Sequence, residues 1–118
     1  VFEKLLILEL NKFYGLKNLK DEFEKSVLRY SSSQFLSENK IIKKFLLNIV
    51  KVKPSNKDKY KNEELNILMR VKNFIAIEDI SQSLNQILLI KEKNMFFSNW
   101  IKQAEIYLDF VNEIKKVS

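Results

Sequence analysis

The chain has no cysteine and no histidine, one glycine (Gly15), one proline (Pro54) and two arginines (Arg29 and Arg70) in 118 residues. Each scarcity removes a class of chemistry. Without cysteine there are no disulfides, no thiolate nucleophile and no cysteine-based zinc site. Without histidine the commonest general base at neutral pH and the commonest metal ligand are both missing. A single glycine excludes the dinucleotide fingerprint and the phosphate loop, which need several for close backbone approach. One glycine and one proline also supply little of the turn chemistry that a multi-stranded sheet requires. No apolar run approaches the ~20 residues that span a bilayer. The apolar stretch 1–10 is interrupted by Glu3 and Glu9 and is followed by no small-residue cleavage site. It reads as a core helix rather than a signal peptide, and a reducing cytoplasm is the expected compartment.

These absences set the expectation on catalysis. Serine, lysine and tyrosine remain as nucleophiles, but no spacing marks any of them. The carboxylate groups Glu63–Glu64, Glu78–Asp79 and Asp21, Glu22, Glu24 could carry acid–base work or hold Mg²⁺. Each also falls where a first helical turn is expected, and the helix dipole favours acids there without any function. The expectation is a non-enzymatic protein with no catalytic residue, metal site, cofactor or evident small-molecule substrate.

What is present is a strong apolar period near 3.6 residues over most of the chain, with 46% hydrophobic and 31% charged residues. That composition belongs to a folded domain, and the length suffices for one core without disulfides or metal. The expected fold is all-α, a single-domain compact helical bundle of about five to six helices over residues 1–118.

A first helix is expected over 2–13. Its apolar residues Phe2, Leu5, Leu6, Ile7, Leu8, Leu10 and Phe13 cover most of the cylinder, which predicts burial on more than one side. Gly15 is expected to end it, as glycine does at helix C-termini. A second helix then starts near Asn18 and carries the stripe Leu19, Phe23, Val27, Tyr30 as far as the serines 31–33. A third, over 38–51, has a core face of Ile41, Ile42, Phe45, Leu46 and Ile49, and is followed by a linker at 53–59. A fourth covers 62–75 with the stripe Leu65, Leu68, Val71, Ile75, and a fifth covers 79–93 with Ile80, Leu84, Ile87 and Leu88. Asp79 is the expected cap between them; the alternative is one kinked rod, since no glycine or proline separates the two. The segment 76–85 also matches the first helix of a helix-turn-helix. The turn glycine of that motif is missing, however, and Gln86 to Glu92 continue the helical period.

Charge is segregated. Residues 1–39 carry six basic and six acidic groups, residues 62–118 seven and eight, and residues 40–61 eight lysines against Asp58 alone. The whole net charge of +6 therefore lies in one stretch. Lys40, Lys44 and Lys51 fall within ~40° of one another at about 100° per residue. Lys43 flanks them, and Lys53, Lys57, Lys59 and Lys61 extend the surface. Such a face could follow an RNA or DNA backbone or an anionic membrane, or could simply be solvated. Leu47 sits within the lysines, and Tyr60 could supply one stacking ring. Arginine, the preferred residue for bidentate phosphate and base contacts, is nearly absent.

The strongest helical pattern is 95–114, which holds the only tryptophan. Phe97, Trp100, Ile101, Ala104, Tyr107, Leu108, Val111 and Ile114 form its main stripe. Met95, Ile106, Phe110 and Val117 cluster on another side. So wide an apolar circumference fits either the central helix of a bundle or a helix whose second face meets a partner. The expected function is a helical protein–protein interaction module that contacts a protein partner, or a second copy, through Met95, Ile106 and Phe110. The alternative is nucleic-acid binding through the 40–61 lysines.

Overall fold

The computed structural model describes residues 2–34 and 63–117. The expected helix 38–51, the linker, Leu47, Tyr60 and all eight lysines of 40–61 lie outside the described residues. The fold is all-α, with five described helices: α1 (Phe2–Gln34), α2 (Glu63–Ala76), α3 (Ile80–Ile87), the one-turn α4 (Lys93–Phe96) and α5 (Ser98–Val117). α1 packs along α5, α2 packs on α3, and α3 closes the bundle against α5. The described body measures 55 × 28 × 19 Å. Its long axis matches α1, whose 33 residues rise 1.5 Å each, to about 50 Å.

The stripes expected from sequence form the core. Leu19, Phe23, Val27 and Tyr30 of α1 meet Leu65, Leu68, Val71 and Ile75 of α2, Ile80 and Ile87 of α3, and Phe97, Trp100, Ala104 and Tyr107 around α5, all buried. Trp100 is the largest fully buried side chain. Its indole N–H donates to the Leu19 carbonyl at 3.0 Å, and its ring meets Phe23 edge-on at 6.4 Å. A buried indole needs such an acceptor, because an unpaired N–H away from water is costly. Near the C-terminal end of α1, Tyr30 packs edge-on against Phe96 at 5.6 Å, and its hydroxyl donates to Glu64 Oε1 at 2.7 Å. This bond ties the end of α1 to the first turn of α2. Burial first, then the Glu64 hydrogen bond and the Glu64 and Glu92 charges, hold the Tyr30 phenol far above its ordinary pKa, so it stays a donor.

Four expectations are corrected. Gly15 does not end a helix: α1 runs without interruption from Phe2 to Gln34, and Gly15 keeps a negative φ. The reason for glycine is close approach, since a Cβ there would lie 3.3 Å from Tyr107 Cδ2 on α5. The second correction concerns burial near the N-terminus. Leu6, Ile7, Leu10, Phe13 and Tyr14 are 49–63% exposed, because among the described residues α1 meets only α5 in this region and packs along one flank. Third, 79–93 is not one helix: α3 stops at Ile87. Tighter bonds follow, from Leu89 N–H to the Gln86 carbonyl and from Ile90 N–H to the Ile87 carbonyl. They turn the chain so that Ile87 and Ile90 are buried while Leu88 and Leu89 face out. Fourth, the last helix is broken at Phe97, which separates α4 from α5.

The expected break at Asp79 is present, and the kinked-rod alternative is excluded. Glu78 sits at φ 63°, a left-handed conformation that no helix interior tolerates for a residue with a Cβ. Asp79 then caps α3, its side chain accepting from Gln82 N–H at 3.1 Å.

Candidate interaction surface

The three residues singled out for partner contact are placed as follows. Ile106 is 65% exposed and Met95 is 72% exposed, whereas Phe110 is half-buried. Ile106 and Phe110 stand four residues apart on α5 and so share one face. Met95 belongs to α4, beyond the break at Phe97, and the structure does not join it to that pair within one helix. The main stripe of α5 meanwhile faces inward, with Trp100, Ala104, Tyr107 and Ile114 buried and Ile101, Leu108 and Val111 partly buried against the core. Ile106 is therefore surplus to the described core.

Sequence reasoning missed a larger surface on α1. Leu6, Ile7, Leu10, Phe13 and Tyr14 lie on an arc of about 120° at 100° per residue, opposite the line of Leu8, Gly15 and Leu19 that faces α5. All five point outward, and Phe13 and Tyr14 pack edge-on at 5.7 Å. The signal was in the spacing. Two apolar arcs on opposite sides of one helix need two partners, and the described residues supply one.

Several ionic groups have partners within or between helices. Glu22 pairs with Arg29 at 3.2 Å, with Ser26 bridging the two. Glu63 pairs with Arg70 at 3.0 Å, and Arg70 Nε also donates to Gln86 Oε1, linking α2 to α3. Both arginines thus have carboxylate partners on their own helices. Glu64 holds Tyr30, and Asp79 caps α3. Among the described residues no three carboxylates gather closely enough to hold a metal ion.

Shallow grooves among the described residues include two lined by charged side chains. One, of about 240 Å³, lies between α1 and α2 and is lined by Lys20, Phe23, Glu24, Lys72, Ile75 and Ala76. Burial lowers the pKa of the Lys72 ammonium, opposed by the Glu24 charge. The other, of about 430 Å³, is lined by Glu63, Glu64, Ile67, Leu89 and Lys91. Each is lined by both apolar and charged side chains. The helix-turn-helix match also finds no support in the backbone. Gln86 and Ile87 are the last residues of α3 and the chain does turn after them, but the next helix, α4, is four residues long, too short to lie in a groove as a recognition helix.

No described helix is long and apolar enough to cross a membrane. Comparison with protein-family models, with curated proteins and with solved structures returned no match.

Proposed function

We propose that this bundle is a non-catalytic protein–protein interaction module, a subunit or docking domain of a larger assembly. It contacts its partner through outward apolar side chains that include Ile106, Phe110 and Met95. The observation that carries this reading is Ile106, 65% exposed on a helix whose inward stripe is already buried. An isolated exposed aliphatic is ordinary. Here Ile106 shares its face with Phe110, and α1 adds a second, separate group of five outward apolar side chains, more than the single exposed residues a surface ordinarily carries. The lysines of 40–61 would steer or anchor the complex through long-range attraction.

Co-purification from the source organism, with and without nuclease, tests the reading. A partner should be retained through nuclease treatment and lost, by about tenfold or more, with Ile106→Glu, because a charge in a desolvated contact costs several kcal/mol. The second reading, nucleic-acid binding, rests on the confinement of the charge surplus to 40–61: residues 62–118 carry seven basic against eight acidic groups. It predicts the opposite pattern. The associated material would be released by nuclease and by salt, and Ile106→Glu would change nothing.

A further inference from the structure

We infer that the outer face of the first half of α1 is a self-association surface. Two copies pack antiparallel across a two-fold axis at Leu10. This rests on the reading of the bundle as an interaction module and assigns a second copy of the chain as the occupant of one face, separate from Ile106 and Phe110.

Three observations lead to a second copy rather than to an unrelated partner. The first is the arrangement of the face about Leu10. Three and four residues to either side stand Ile7, Phe13, Leu6 and Tyr14, all apolar and all exposed. Seven residues to either side stand Glu3 and Lys17, both exposed and both on the same outward arc at about 100° per residue. In an antiparallel pair crossed at Leu10, position i meets position 20 − i of the other copy. Leu10 then meets Leu10, Ile7 meets Phe13 and Leu6 meets Tyr14, each contact made twice, as an isologous interface demands.

The second observation is charge. The same operation sets Glu3 opposite Lys17 at both ends of the contact. A parallel pair would set Glu3 against Glu3 and Lys17 against Lys17. Like charges across an interface are a strong discriminator of register and orientation, so the two end residues select the antiparallel arrangement.

The third is area. Five side chains, two of them aromatic, each about half to two-thirds exposed, present on the order of 500 Å² of apolar surface. That lies at the upper end of what a monomer usually leaves open. Doubled, and with its polar margins, the contact comes to on the order of 1,200 Å², the lower bound for a specific dimer. A reversible, concentration-dependent dimer is the expected species.

Sedimentation equilibrium of the full chain over a wide concentration range reads this out. The wild-type chain should move from monomer to dimer. Leu10→Glu sets two carboxylates together on the axis and should weaken the dimer by on the order of a hundredfold or more. Because Leu10 is about half exposed, this variant should keep its far-ultraviolet spectrum and melting temperature. Glu3→Lys should weaken the dimer several-fold, and Glu3→Lys with Lys17→Glu should restore it, a pattern independent of any folding defect in the Leu10 variant. A chain that stays monomeric at every concentration overturns the inference, and so does a dimer indifferent to Leu10→Glu. A dimer, or a foreign complex, that depends on Ile106 and not on Leu10 overturns it while leaving the interaction-module reading standing.

Discussion

Trp100→Ala is expected to destabilise the bundle by ~3–5 kcal/mol, the range for deleting a large aromatic from a packed core. Trp100 is fully buried; it lies against Phe23 of α1, and its N–H is spent on the Leu19 carbonyl. Its loss opens a cavity at the junction of α1 and α5 and removes the hydrogen bond that holds their register. Against a total stability of ~5–15 kcal/mol for a domain, that is a large fraction, and thermal melts should show a drop on the order of 15 °C. Trp100→Phe keeps most of the volume and loses the donor, and should cost ~1–2 kcal/mol. A Trp100→Ala protein that melts within a few degrees of wild type would mean that α1 and α5 do not meet here.

Gly15→Leu is expected to cost ~3 kcal/mol, the upper part of the usual overpacking range. A Cβ alone would stand 3.3 Å from the Tyr107 ring, and a leucine side chain would have to push the helices apart. Gly15→Ala separates the close-approach role from a helix-ending one. In a helix interior the alanine gains up to ~1 kcal/mol of propensity, which offsets a slight shift of Tyr107 and leaves the melting temperature almost unchanged. Were Gly15 a left-handed cap, both substitutions would be penalised by the backbone and alanine would be clearly destabilising. Melts of the two variants side by side distinguish these outcomes.

The all-α class and most of the core were legible in the sequence, because periodicity reports which residues share a face. Leu19, Phe23, Val27 and Tyr30 on α1, and Leu65, Leu68, Val71 and Ile75 on α2, were read from spacing and are buried together. Asp79 was legible as a cap because its side chain suits one position. Gly15 was misread because glycine serves two purposes, ending a helix or admitting a neighbour, and only the neighbour decides between them. Tyr107 lies 92 positions along the chain, beyond the reach of any local pattern. The outward turn of Leu88 and Leu89 depends on tight backbone bonds after Ile87, which no apolar spacing encodes. The exposure of Leu6, Ile7, Leu10, Phe13 and Tyr14 failed for a third reason. Periodicity shows that a face is apolar and carries no information on whether the fold supplies something to cover it. The contact proposed for Ile106 and Phe110 rests on the same distinction.

Accessibility of those faces in the full chain is the most direct test, and the absence of native cysteine makes it clean. Single cysteines would be introduced as Leu10→Cys, Ile106→Cys and, as a buried control, Leu68→Cys, and their rates of reaction with a thiol reagent compared in dilute protein. The account predicts that positions 10 and 106 react nearly as fast as an unstructured peptide thiol while position 68 is strongly protected. Protection of positions 10 and 106 to the level of position 68, in dilute and monomeric protein, would show that the chain covers its own apolar faces and would contradict the account.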